Sequence, residues 1–286
     1  MNLTRRRFLT AGLAGAAGLA IYSGEFARHA IEITHPEIRL RDLPPAFDGF
    51  RIAQISDIHI DQFTEPYFLR EAVASINRLR PDAVFLTGDF VTFELLPRKF
   101  CIRSAWACAN ILNALECRQR YAVLGNHDVL VSSRAITAAL AANGISVLKN
   151  SFTALQRNSA RIWLAGLDDA VEGKPDMDRA IPAEIRDRAG EPIVLMCHEP
   201  DFADSLIAHP AGQSVAFMLS GHTHGGQIRL PFLGPMGLPA MGRKYVEGAF
   251  QLQKLQLYVN RGIGSVGVPF RLNCPPEIAS ITLRRA

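Results

Sequence analysis

The sequence predicts an α/β fold, and two observations predict it. Short apolar runs at 50–56, 83–87, 121–124, 192–197 and 215–219 read as buried strands, with stretches of helical period between the first of them. Each run breaks off in polar residues, and α/β sheets carry their chemistry beyond the carboxyl ends of their strands. The totals agree: 286 residues, 48% hydrophobic and 20% charged, suffice for one large domain or two small ones with a sizeable core.

The N-terminus reads differently from the rest. Thr4-Arg5-Arg6-Arg7-Phe8-Leu9-Thr10 resembles a twin-arginine export signal, with Thr10 in place of the usual Lys. Behind it, Phe8 to Tyr22 is uncharged and rich in Ala and Gly. The run is short of the roughly 20 residues a membrane-spanning helix needs and suits a signal h-region. Residues 1–30 are therefore expected to be a signal or N-terminal anchor, and residues 31–286 the working domain. No sharp Ala-x-Ala site decides between cleavage and retention. The expectation is export by the twin-arginine machinery, already folded, to the periplasm or the outer face of the inner membrane.

The elements follow in order. Ile31, Ile33, Ile38 and Leu40 suggest an edge strand, and Pro44-Pro45 a linker. Phe50 to Ser56 is a buried strand ending in Asp57-Ile58-His59, where extended geometry would aim Asp57 and His59 to one side. Pro66 opens a helix with Phe68, Leu69, Val73, Ile76 and Leu79 on one face, stopped at Pro81. Ala83 to Thr87 is the next strand, ending in Gly88-Asp89, so that a right-handed crossover joins the two. A helix over 99–116 is expected to turn Ile102, Trp106, Ile111, Leu112 and Leu115 inward.

Tyr121 to Leu124 delivers Gly125-Asn126-His127-Asp128, and Ser132 or Ser133 caps a helix running to Asn143-Gly144. Residues 145–148 and 161–166 read as a strand pair joined through 150–159, and 168–190 as a polar loop with a weak helix near 176–187. Pro192 to Cys197 ends in His198, and Val215 to Leu219 delivers Gly221-His222-Thr223-His224-Gly225-Gly226. In an extended chain two imidazoles two residues apart reach one site, and the glycines let the main chain approach what they hold. Residues 255–259 and 278–283 close the sheets.

Charge and cysteine narrow the function classes. The formal charge is +4; residues 1–20 hold three Arg and no acid, so the remainder is about +1 (4 less 3). That balance argues against nucleic acid as the main partner. Five cysteines, odd in number and without paired metal-type spacing, read as buried small hydrophobes.

Asp57, His59, Asp89, Asn126, His198, His222 and His224 are two carboxylates, one amide oxygen and four imidazoles. Oxygen and nitrogen donors without thiolate suit Mn, Fe, Zn or Ni over calcium. Seven are too many for one tetrahedral ion and fit a pair, which needs a bridging group. A carboxylate can bridge.

The blocks Asp-x-His, Gly-Asp, Gly-Asn-His-Asp, a lone His and Gly-His-x-His stand in order at Asp57–His59, Gly88–Asp89, Gly125–Asp128, His198 and Gly221–His224. As a set they resemble the calcineurin-like metallophosphoesterase family, over about residues 50 to 230. The resemblance implies a four-layer α/β/β/α sandwich, two mixed sheets flanked by helices (the metallophosphatase fold). It implies two divalent ions, manganese favoured: Asp57, His59 and His224 on one, Asn126, His198 and His222 on the other, Asp89 between. It makes His127 the general acid and Asp128 the residue that orients its ring, with water between the ions as nucleophile.

The tail from Arg261 through Arg271 to Glu277 resembles a bacterial exported or membrane-associated phosphodiesterase branch, some of whose members act on the pyrophosphate of UDP-2,3-diacylglucosamine. Arg261 is the leading phosphate-binding candidate, with Arg243, Lys244 and Arg271 behind it. The apolar loop 231–239 is expected to touch lipid, as bilayer or as acyl-bearing substrate. A phosphodiester or pyrophosphate substrate is expected over a monoester. The alternatives are a phosphomonoesterase, a nuclease, which calls for a basic groove, and a non-catalytic binding module, which calls for gaps among the ligands.

Overall fold

The computed structural model describes residues 5–60, 63–93 and 96–286. Thr4, the first residue of the export-like stretch, lies outside them. Helix α1 (Arg5–Ile21) leads through a π-turn, Tyr22–Phe26, into the body of the molecule. Among the described residues no helix is long and apolar enough to cross a membrane.

The first sheet takes its strands from both ends of the chain. Strands β1 (Glu32–Thr34) and β2 (Glu37–Leu40) precede β3 (Arg51–Ile55). Helix α2 (Pro66–Leu79) crosses to β4 (Ala83–Leu86), α3 (Arg98–Leu112) to β5 (Arg120–Ala122), and α4 (Asn126–Ala142) to β6 (Ser146–Val147). The chain then enters a second sheet through the hairpin β7 (Ser151–Arg157) and β8 (Ala160–Gly166). Short helices α5 (Met177–Ala180) and α6 (Ala183–Arg186) lead to β9 (Ile193–Met196), and α7 (Phe202–Ala208) to β10 (Val215–Ser220). A small hairpin, β11 (Arg229–Leu230) with β12 (Gly234–Pro235), projects before β13 (Gly248–Leu252) and β14 (Leu255–Val259). Strand β15 (Glu277–Arg285) returns to the first sheet, antiparallel to β3 and parallel to β1 and β2.

The sheet orders are β1-β15-β3-β4-β5-β6, with β2 also on β15, and β13-β14-β10-β9-β8-β7. Period-two alternation divides the core into three layers. Ala53, Ile55, Val84 and Leu86 face α2, α3 and α4. Ile52, Phe85, Val194, Met196, Phe217 and Leu219 meet between the sheets. Leu195, Met218 and Leu257 face outward, under Ile185 and Leu206. This is the expected α/β/β/α sandwich.

Three local expectations need correcting. Trp106 is 41% exposed, and the inward face of α3 is built from Cys101, Ala105, Cys108, Ala109 and Leu112. The strand pair placed at 145–148 and 161–166 is split between sheets: β6 pairs with β5, while the partner of β8 is β7. Helix α4 begins at Asn126 and breaks at Ser132, whose Oγ then accepts the Ala135 amide and caps the second segment.

The segment 22–29 is packed against the body. The Ser23 carbonyl accepts the Arg271 amide at 3.1 Å, Gly24 lies against Phe270, and Arg28 and His29 both reach the Glu65 carboxylate. All five cysteines are thiols, and four of them are buried, as expected of small hydrophobes.

Candidate metal centre

Every predicted ligand sits just past a strand: Asp57 and His59 after β3, Asp89 after β4, Asn126 after β5, His198 after β9, His222 and His224 after β10. Neighbouring parallel strands bring those ends to one edge of the sandwich. Hydrogen bonds stitch them there: the Asp57 amide to the Gly88 carbonyl at 2.9 Å, and the His222 amide to both Asp57 oxygens at 3.1 and 3.0 Å.

The extended geometry expected of Asp57/His59 and His222/His224 is absent. Asp57, His59, Asp89, His222 and His224 all have left-handed backbones, with φ of 51°, 47°, 56°, 72° and 51°. Such conformations cost side-chain-bearing residues roughly 1–3 kcal/mol each and persist only where the surroundings impose them. The consequence is that His222 and His224 part. Two groups of donors form, Asp57-His59-His224 and Asp89-His198-His222, each with ligand atoms within 4.8 Å of one another and every residue buried. At Gly221 the main chain closes on the Ser56–Asp57 segment, where a Cβ would strike the Ser56 hydroxyl.

Asp89 stands between the groups. Its Oδ2 lies 3.2 Å from His198 Nε2 and 3.6 Å from His59 Nε2. On the first group, Nε2 of His59 and Nε2 of His224 face each other at 3.2 Å, and His224 Nε2 is 3.4 Å from Asp57 Oδ1. Burial first, with neighbouring cationic groups, lowers the His59 ring to about 3 and holds His224 well below the usual histidine range, so both are neutral. Two imidazole nitrogens and a carboxylate oxygen turned on one point form a donor set that a cation can occupy.

Tautomers are set by main-chain carbonyls, which can only accept. Thr87 takes the Nδ1 proton of His198 at 2.6 Å, leaving Nε2 as the free donor atom. Ala240 takes the Nε2 proton of His222 at 2.7 Å, leaving Nδ1. Asn126 Oδ1 is buried without a hydrogen-bond partner, and His198 Nε2 is buried facing the Asp89 carboxylate at 3.2 Å. An orphaned polar atom in a buried site of this kind asks for an ion. The donor set therefore fits two divalent ions, with Asn126 completing the second group.

His127 lies in the first turn of α4, not in extended chain, and its amide donates to Asp89 Oδ1 at 3.0 Å. Its ring stands edge-on to His59 with centroids 5.0 Å apart. The Phe93 amide donates to its Nδ1 at 2.9 Å, so a neutral ring carries its proton on Nε2. Asp128 does not orient that ring, as had been expected. Its oxygens accept the amides of Asp89 at 2.9 Å, Phe90 at 3.0 Å, Val91 at 3.3 Å and Gly125 at 3.1 Å. Burial and Asp89 push its carboxyl up while the amides pull it down; the geometry makes it a brace for the Asp89 loop.

Arg261 is half-buried among carboxylates, 2.9 Å from Glu32 and 3.3 Å from Glu277. Lys244 pairs with Asp204 at 2.8 Å, and Arg271 is fully buried. None of these guanidinium or ammonium groups is free toward the ligand cluster. Thr87, Thr92, Phe93 and Ala240 went unnoticed in the sequence, because three of the four act through main-chain atoms that any residue supplies; Thr92, which meets His59 Nδ1 through its hydroxyl at 3.0 Å, stands in no recognisable pattern.

Residues 50–226 match the family model described as calcineurin-like phosphoesterase. The chain is 34% identical to an uncharacterised metallophosphoesterase of Bacillus subtilis, YkuE, over 99% of this chain and 98% of that one. It is 31% identical to the Escherichia coli phosphodiesterase YaeI, over 98% and 99%. The Chlamydia muridarum UDP-2,3-diacylglucosamine pyrophosphatase LpxG is 27% identical over 94% of each chain. The solved structure of Haemophilus influenzae NAD nucleotidase, NadN, superposes with a TM-score of 0.51 at 15% identity, over 75% of this chain and 50% of that one, a likeness of fold.

Proposed function

The chain belongs to the calcineurin-like phosphoesterase family, and on that premise we propose that it hydrolyses a phosphodiester or pyrophosphate bond. It is a metal-dependent phosphoester hydrolase. One observation carries the reading of its site: two buried donor groups meet at a shared carboxylate, Asp89, within 3.6 Å of one and 3.2 Å of the other.

Asp57, His59 and His224 hold one ion in this reading, Asn126, His198 and His222 the second, and Asp89 both. Carboxylate, amide and imidazole donors without thiolate suit Mn, Fe, Zn or Ni, and the family resemblance favours manganese among them. Two divalent ions, when bound, supply Lewis acidity to water and to the phosphoryl oxygens. The chain supplies the rest. His127 presents its Nε2 proton at the mouth of the site and gives it to the leaving oxygen. Asp128 holds the Asp89 loop and Gly125 in place for that transfer.

Preference for a diester or pyrophosphate is supported by the similarity to the phosphodiesterase YaeI and the pyrophosphatase LpxG. Purified manganese-loaded protein, assayed on bis(p-nitrophenyl) phosphate, p-nitrophenyl phosphate and single-stranded DNA, is expected to cleave the first most rapidly. Faster cleavage of the monoester or of DNA would assign it to those classes, cleavage of none of the three would leave a binding module, and full activity in Asp89→Asn would overturn the reading of the site.

A lipid-linked substrate, such as UDP-2,3-diacylglucosamine, and work at the outer face of the inner membrane belong to the same proposal. The twin-arginine pattern supports export. Phe232, Leu233 and Met236, exposed at the tip of the β11–β12 hairpin, support contact with lipid. Burial of Ser23 and Gly24 against the body supports cleavage, where it occurs, ahead of Ser23. Liposome flotation lost in Phe232→Ser/Leu233→Ser is the expected result, and unchanged flotation counts against it.

A further inference from the structure

Arg271 is the largest fully buried side chain among the described residues, and the proposed reaction does not use it. An arginine out of water is costly unless all its donors are engaged. Here they are engaged by main-chain oxygens. Nε donates to Gly264 at 3.0 Å, Nη1 to Cys274 at 3.2 Å, and Nη2 to Arg261, Gly262 and Gly264 at 2.9, 3.2 and 2.5 Å. The planar fork of a guanidinium gathers one loop, 261–264, onto one point, which an ammonium cannot do.

That loop lies on the first ligand segment. The Ile263 amide donates to the Ser56 carbonyl at 3.0 Å and the Gly264 amide to the Asp57 carbonyl at 2.8 Å. Gly262 has a φ of +69°, and a Cβ there would stand 2.6 Å from the Asp57 Cβ. From its other side the same Nη2 reaches 3.4 Å to Nδ1 of His224. Cys274, held by Nη1, donates its thiol to the His224 carbonyl at 3.1 Å. One guanidinium thus touches the loop that backs Asp57 and the ring of His224, and holds Cys274, which bonds the His224 main chain. Among the described residues its hydrogen bonds run to Arg261, Gly262, Gly264, Cys274 and His224, and to none of Asn126, His198 or His222.

We propose that Arg271 is a positioning residue for one ion only, the one held by Asp57, His59 and His224. The proposal rests on the two-ion reading above. Outer contacts of this kind are worth about 10–100-fold in metal affinity when removed.

Manganese titrations of metal-free protein test it. Wild type binding two ions per chain is the premise; fewer than two overturns the two-ion reading itself and is read separately. In a His198→Ala background, where the first group remains, Arg271→Lys is expected to weaken manganese binding at least about tenfold. In a His224→Ala background, where the second group remains, the same change is expected to leave affinity within about twofold. Equal weakening of both, or of neither, assigns Arg271 a purely structural role and overturns the proposal. If Arg271→Lys does not fold, exchange of the Arg271 Nε proton in the His198→Ala protein is measured with and without manganese's diamagnetic substitute, zinc. Slower exchange on filling the first group supports the proposal, and unchanged exchange contradicts it.

Discussion

Asp89 accepts the His127 backbone amide on one carboxylate oxygen, at 3.0 Å, while its other oxygen lies between the two donor groups. The proposed bridge and the proposed acid are therefore fixed to each other through the first turn of α4. Disturbance of the carboxylate moves both.

Asp89→Asn keeps an oxygen for the His127 amide and removes the charge between the ions. Manganese stoichiometry is expected to fall below two per chain and diesterase activity by at least about 100-fold. Metal analysis beside a steady-state assay checks both, and a variant that keeps two ions removes Asp89 from the bridge.

His127→Ala leaves every proposed ligand in place, so metal content is expected to stay at the wild-type value. Turnover is expected to fall about 10²–10⁴-fold on a diester with an alkyl leaving group, as loss of a general acid does. On a p-nitrophenyl diester, whose leaving oxygen needs little protonation, the loss is expected to be much smaller. Equal losses on both substrates would take the proton-donor role from His127.

Metal uptake should release a proton at neutral pH. Burial draws the His198 ring toward neutrality, but Asp89, with Asp57 and Glu199 behind it, outweighs burial and holds the ring's proton affinity well above the usual histidine range. The Nδ1 proton belongs to the Thr87 carbonyl, so the one that must leave is on Nε2. Acid adds this competitor and alkali removes it: affinity for the second ion rises with pH, by up to about tenfold per unit below the ring's pKa. Asp57, pushed up to about 6 by burial, adds a second proton below that pH and weakens the first group too. Calorimetry in buffers of different ionisation enthalpy counts the protons, and an affinity independent of pH between 6 and 8 contradicts the assignment.

Asp128→Asn turns one acceptor oxygen into a donor facing main-chain amides at 89–91 and 125. Thermal unfolding of the metal-free protein is expected to show a loss of about 1–3 kcal/mol, the cost of leaving buried donors unpaired. A wild-type melting temperature would show that the carboxylate braces nothing.

The ligand set was legible because each member closes a short apolar run, and strand ends are where an α/β sheet can converge side chains. The layers were legible for a related reason: alternating runs such as 52–55 and 215–219 must be buried on both faces. Other features carry no such mark. Strands β7 and β13 are half-buried and mix Gln, Thr and Arg with apolar residues, so their alternation does not stand out. Small Cys and Ala side chains fill the inward face of α3 as well as Trp106 would, and size alone pointed the wrong way. Left-handed backbone at the ligands and tautomers set by carbonyls belong to the main chain, which the residue string does not describe. Arg271 read as a phosphate-binding candidate because its actual partners are carbonyls brought near only by the fold.

Anomalous diffraction from manganese-soaked crystals, at the metal's absorption edge, tests the central claim most directly. Two peaks per chain are predicted, one among Asp57, His59 and His224, the other among Asn126, His198 and His222, with the Asp89 carboxylate reaching both. A single peak, or an Asp89 side chain turned away from either, would contradict the account.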